Sequence, residues 1–252
     1  MSRVLAALSA ERIKLVSTRA PWLAIAAAAG VCVALAALQA WGSRMGDIAP
    51  EDTAVAVAMV GVPVLMVVAS MTVTSEFRTQ MIRTTFLVVP NRYLVLAAKA
   101  VVSAAVAAVA AAAMVLASVV AAGLVAPPMT TDALSLLGGG PWLLAGAFAL
   151  YAAIAAVLGV GVGALIRAAP GTVVLLLLWP LVIETVLALL PDVGPQVGPF
   201  LPFVNAVAFT GVELLRLGYD LRWGGVGGLV YFTAVAALVF AVASVVVDRR
   251  DA

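Results

Sequence analysis

Six long apolar runs decide what this chain can fold into. A helix crossing the hydrocarbon of a bilayer needs about 20 mostly apolar residues. The chain supplies such runs at residues 20–41, 54–74, 96–125, 142–166, 171–190 and 226–247. A soluble core has no use for runs of that length. In hydrocarbon each backbone N–H and C=O must be satisfied within its own segment, which a helix achieves. Only 10% of the 252 residues are charged, against roughly 25% in a soluble domain. The expected fold class is therefore all-α, a polytopic membrane protein with six transmembrane helices in a single domain over 1–252.

Charge placement predicts the orientation. Six spans put both termini on one side. If that side is the cytoplasm, the inside holds Arg3, Arg12, Lys14, Arg19, Arg78, Arg83, Arg92, Lys99, Arg167, Arg249 and Arg250, and the outside holds only Arg44, Arg216 and Arg222. That asymmetry is the positive-inside pattern and points to the cell (plasma) membrane with cytoplasmic termini. Trp22, Trp41, Trp142 and Trp223 fall at predicted span ends, where indole rings favour the headgroup layer, whereas Trp179 lies inside the fifth run. The third run is longer than a bilayer requires, so its first turns lie below the membrane or the helix tilts. The first run is long for a cleaved signal peptide and has no small-x-small site before Trp41.

The same scarcity of polar residues excludes most chemistry. The chain has no histidine, which removes serine–histidine catalysis, paired-histidine haem ligation and histidine-based zinc sites. Its single cysteine, Cys32, lies inside an apolar run and reads as a small buried hydrophobe. The only lysines, Lys14 and Lys99, sit in no glycine-rich phosphate loop, so the chain itself binds no ATP by that route. No cofactor and no catalytic or metal-binding cluster is expected. The basic residues follow topology, so the bilayer, and no nucleic acid, is the expected partner of the positive charge.

Outside the spans, residues 1–19 match an amphipathic helix lying on the inner membrane surface, or simply an anchor for the first span. Residues 75–95 form a cytoplasmic segment with Glu76, Arg78, Arg83 and Arg92, helix-like to Leu87 and broken at Pro90-Asn91. Such a segment is either a surface helix made for contact or a solvated loop. Residues 191–225 make the longest outer segment, whose middle part, Pro199–Leu215, is apolar but interrupted by Pro202, which suggests a re-entrant or interfacial helix pair on the outer side. Glu184 lies in the fifth run, where a charge costs about 2.5–3.5 kcal/mol on insertion scales. It is either a functional acid or a protonated glutamate bonded to a neighbouring helix. Pro63 and Pro180 fall mid-span in corresponding places of two three-span halves, although no residue-level repeat supports the symmetry. Gly159-x-x-x-Gly163 and Gly224-x-x-x-Gly228 read as close-packing sites.

Thr74-Ser75-Glu76-Phe77-Arg78, then Ile82-Arg83-Thr84-Thr85, then Pro90-Asn91-Arg92 and Ala97-Ala98-Lys99, resemble the loop between the second and third spans of type-2 ABC transporter permeases, in particular actinobacterial ones. Val182-Ile183-Glu184 and the proline-bearing segment before the last span are similar to that family as well. The resemblance implies an N-terminal elbow helix, a cytoplasmic coupling helix seated on an ATPase, and extracellular gate helices. By position it implies ATPase-coupling roles for Glu76, Phe77, Arg78, Ile82, Arg83 and Thr84.

The resulting expectation is the membrane-spanning subunit of an ATP-driven exporter. A second copy or a paralogue would complete the substrate path, and separate cytosolic ABC ATPase subunits would hold ATP and Mg. Two other classes remain open. One is a proton-coupled secondary transporter using Glu184; the other is a non-transporting immunity or scaffold protein.

Overall fold

A computed structural model describes residues 3–42, 48–81, 91–126, 133–214 and 219–249. Among these residues every regular element is helical. Helix α1 spans Arg3–Ser17 and is separated from α2, Arg19–Gly42, only by Thr18, whose hydroxyl donates to the Lys14 carbonyl at 2.9 Å. Four further long helices follow: α3 (Pro50–Arg78), α4 (Arg92–Val125), α5 (Gly140–Ile166) and α6 (Ala169–Leu189). A short α7 (Pro202–Phe209) precedes α8 (Gly224–Arg249). Helices α2, α3, α4, α5, α6 and α8 are each long and apolar enough to cross a membrane, the pattern of a multi-pass membrane protein.

The six helices coincide with the six apolar runs, with differences at two ends that matter. Helix α3 continues through Glu76, Phe77 and Arg78 instead of stopping at Thr74, so the start of the expected cytoplasmic loop is an extension of a span. Gln80 then adopts a left-handed φ of 56° and turns the chain away. Helix α4 starts at Arg92 rather than Leu96, because the Asn91 side chain accepts from the Leu94 N–H at 3.0 Å and caps it. At 34 residues, α4 is about 50 Å long, well beyond the ~30 Å of hydrocarbon.

Helices α3 and α5 form the centre of the bundle. In α3, 67% of the most apolar window is buried within the protein, and in α5 56%; in the other four the share is 33% or less. The α3–α5 seam is set by glycine. A methyl at Gly163 would lie 2.9 Å from the Ser70 carbonyl oxygen, and one at Gly159 would collide with the Met66 carbonyl. The four-residue spacing on α5 thus meets the four-residue spacing of Met66 and Ser70 on α3, and only hydrogen side chains admit the approach. Gly228 packs in the same way on the Asn205 carbonyl, whereas Gly224, with φ +59°, merely starts α8. On α2, Ile25, Ala28, Cys32, Ala36 and Ala40 make one inward stripe, and Cys32 is fully buried there.

Two spans contain π-helical turns beside their prolines: Val57–Gly61 ahead of Pro63 in α3, and Trp179–Glu184 around Pro180 in α6. Proline offers no N–H to the preceding turn and its ring crowds the carbonyl four residues back, so the helix widens locally. Between α6 and α8 the chain makes a helical turn at Gly194–Val197, a 3₁₀ turn at Gly198–Phe200 and then α7.

Candidate functional site

Among the described residues the buried charged side chains gather at two places. The first is where α1, the end of α3 and the start of α4 meet. Lys99 Nζ lies 2.7 Å from Glu11 Oε2 and 2.7 Å from Glu76 Oε1, and also donates to the Thr72 carbonyl at 3.1 Å. Lys14 Nζ reaches the same two acids, Glu11 Oε1 at 2.9 Å and Glu76 Oε1 at 2.8 Å. The Lys99 side chain is 1% exposed, both glutamates are 8% exposed, and Lys14 is 39% exposed. Two acids and two bases cancel, which lets the group sit in an apolar surround. Burial disfavours the charged Lys14 amine, but its bonds to Glu76 and Glu11 outweigh that and hold its pKa above the ordinary lysine value. Glu76 Oε2 and the Thr74 hydroxyl are buried and find no hydrogen-bond partner among the described residues.

The residues singled out by sequence divide sharply around this cluster. Glu76 is buried in it and unavailable as a surface contact. Phe77 is partly buried and lies under the Arg167 guanidinium, 4.8 Å from ring centre, which joins the end of α3 to the α5–α6 turn. Arg78 is exposed. Ile82, Arg83 and Thr84 lie outside the described residues. Glu76 pairs with Lys99 and Lys14. Arg92 is also structural here, its Nη1 donating to the Val247 carbonyl at 2.9 Å and the Asp248 carbonyl at 3.2 Å at the end of α8.

The second place is Glu184, 1% exposed in α6. Its Oε2 accepts the backbone N–H groups of Phe203 at 2.8 Å and Val204 at 3.0 Å, and its Oε1 accepts Trp179 Nε1 at 2.9 Å. Phe203 and Val204 are the second and third residues of α7, so Glu184 caps that helix from a distant span. All of its bonded neighbours are N–H donors, an arrangement that suits a carboxylate and offers no acceptor to a carboxylic proton. Of the two sequence readings of Glu184, the bond to a neighbouring helix is present in this geometry, but its partners are donors that suit the charged form and not the protonated one. Trp179, unexplained as an interfacial tryptophan, has its partner here.

Sequence reasoning did not assign Glu11, Lys14 and Lys99 to a site. The signal was present: the only two lysines of the chain, one of them inside an apolar run. Among the described residues no three Cys, Asp or Glu side chains converge to hold a metal ion. In comparisons with known proteins, no family model matches the chain and no curated protein matches it significantly.

Proposed function

We propose that this chain is the membrane-spanning permease subunit of an ATP-driven exporter, energised by separate cytosolic ATPase subunits that hold ATP and Mg. The observation that carries the proposal is the Glu11–Lys14–Glu76–Lys99 cluster, which joins α1 to α3 and α4 on both sides of residues 79–91. A partner's motion enters a membrane protein only through a stiff element held by both. A push on residues 79–91 would meet three helices tied by buried charge. It would therefore shift whole spans instead of bending a loop.

In this reading both termini are cytoplasmic, in the plasma membrane, and α1 is an elbow helix on the inner surface. Residues 75–95 form the coupling region, with Arg78, Ile82, Arg83 and Thr84 facing the ATPase. Phe77 and Glu76 anchor that region from within. Residues 191–225 fold back into the outer half as a re-entrant helix pair, held by Glu184. A second copy or a paralogue completes the substrate path, and no reaction is catalysed by this chain.

The test is isolation of the tagged chain from its native membrane with identification of any bound ATPase, followed by Arg78→Ala with Arg83→Ala. The variant is expected to keep the melting temperature of the wild type and to lose stimulation of the partner's ATPase. Absence of any ATPase, or normal stimulation in the variant, would remove the proposal.

A further inference from the structure

A cavity of about 340 Å³ lies between α3, α6 and α7, with Tyr151 of α5 in its wall, and neither the charge cluster nor the capping role of Glu184 uses it. Its walls include Met59 and Pro63 on α3 and Pro180 on α6. Both π turns, at Val57–Gly61 and Trp179–Glu184, contribute wall residues. The two helix breaks therefore converge on one space, and π turns of this kind are frequent at functional sites.

Tyr151 is 2% exposed, and its hydroxyl has no hydrogen-bond partner among the described residues. Buried phenols normally find one. The ring cannot easily swing to seek a partner, because Phe232 meets it edge-on at 5.7 Å and Phe203 packs on Phe232 at 5.1 Å. At the exposed side of the cavity, Glu213 lines the wall and forms no ion pair among the described residues. The other lining hydroxyl, Thr185, is turned to the Pro180 carbonyl at 3.4 Å. Among the described residues no lysine or arginine lines the space, and the nearby Arg222 lies over the Phe200 ring at 5.8 Å.

We infer that this cavity binds a lipophilic organic cation, with apolar rings against the proline walls, an N–H group on the Tyr151 hydroxyl and its charge facing Glu213. An apolar pocket with few convergent polar groups is the usual form of a small-molecule site. A neutral ligand would leave Glu213 unused, and an anion would meet it with repulsion. The site names a cargo class only insofar as the exporter proposal holds; binding itself requires no ATPase.

The full chain in phosphatidylcholine nanodiscs, titrated with ethidium, tests the site. Saturable binding of one ethidium per chain, above that of empty nanodiscs, is expected. Glu213→Gln should weaken it by about fivefold, the scale of one partly solvated ion pair. Tyr151→Phe, which keeps the ring, should weaken it by about fivefold for the lost hydrogen bond. Absence of a saturable component, or unchanged affinity in both variants, would overturn the site. Ethidium binding by a chain that copurifies with no ATPase would keep the site and remove the exporter proposal. An ATPase-bound chain that binds no ethidium would do the reverse.

Discussion

Lys99 Nζ sits 2.7 Å from Glu76 Oε1, inside the protein, with α3 ending just past one residue and α4 starting just before the other. The pair joins the two helices on either side of residues 79–91, and Glu11 ties α1 to the same ammonium. Glu76 is thus a lock within the helical bundle and cannot double as a surface handle.

Lys99 should be the costliest of the four to lose. Lys99→Met leaves two buried carboxylates short of their main cation, and breaking a buried pair in this way costs about 3–5 kcal/mol. Thermal unfolding in detergent is expected to show a large drop for Lys99→Met. The triple variant adding Glu11→Gln and Glu76→Gln should recover most of it. An equal loss in single and triple variants would show that Lys99 stabilises through its aliphatic stem alone.

Lys14 shares the acids but is partly solvated, so Lys14→Met should cost only about 1 kcal/mol or less. Its amine has a folded pKa above the unfolded value. Such a group contributes fully below the unfolded pKa and loses its contribution as pH rises through the folded one. The difference in melting temperature between wild type and Lys14→Met should therefore stay flat from about pH 6 to about pH 9, and shrink only beyond the ordinary lysine pKa of about 10.4. Melting curves across that range check the sign.

The spans were legible because their cause is local. Twenty apolar residues in a row have few other solutions, and the helices observed follow the runs to within a few residues at most ends. The role of Glu76 was not legible, because its partners lie 23, 62 and 65 residues away on other elements, the last being Glu11 through the shared lysines. A basic and acidic segment between spans reads as solvated charge until the lysine opposite is located. Glu184 stood out as an acid in hydrocarbon, yet two of its three partners are backbone N–H groups, which leave no mark in sequence. Only Pro202, a favoured first residue of a helix, hinted that α7 begins there.

Glu184 should act on α7 more than on its own helix. Glu184→Gln replaces one acceptor oxygen by a donor, so either Trp179 or the backbone pair loses its bond, at a cost of about 1.5–3 kcal/mol for a bond to charge. Trp179→Phe removes a single donor and should cost less. Hydrogen exchange is the discriminating measurement. The amides of Phe203 and Val204 are expected to exchange faster in Glu184→Leu, which offers them no acceptor, and to remain protected in Trp179→Phe. Unchanged protection in Glu184→Leu would remove the capping role.

Two glycines on the same helix should respond to alanine with opposite sign. Gly146 of α5 has open space where a methyl would stand, with no atom within 4 Å, while a methyl on Gly159 meets the Met66 backbone carbonyl. Alanine at Gly146 adds helix propensity and no clash, for a gain of up to about 1 kcal/mol. Alanine at Gly159 must separate α3 from α5 along their tightest seam, and overpacking of this kind costs about 1–3 kcal/mol. The displacement would also propagate, since Ser70 and Gly163 lie one turn further along the same contact. Gly146→Ala should thus raise the melting temperature and Gly159→Ala lower it, with Gly159→Ala losing protection at Met66 and Ser70 together. A neutral Gly159→Ala would mean that the seam is slack enough to part, and that the glycine pair does not set the distance between the two central helices.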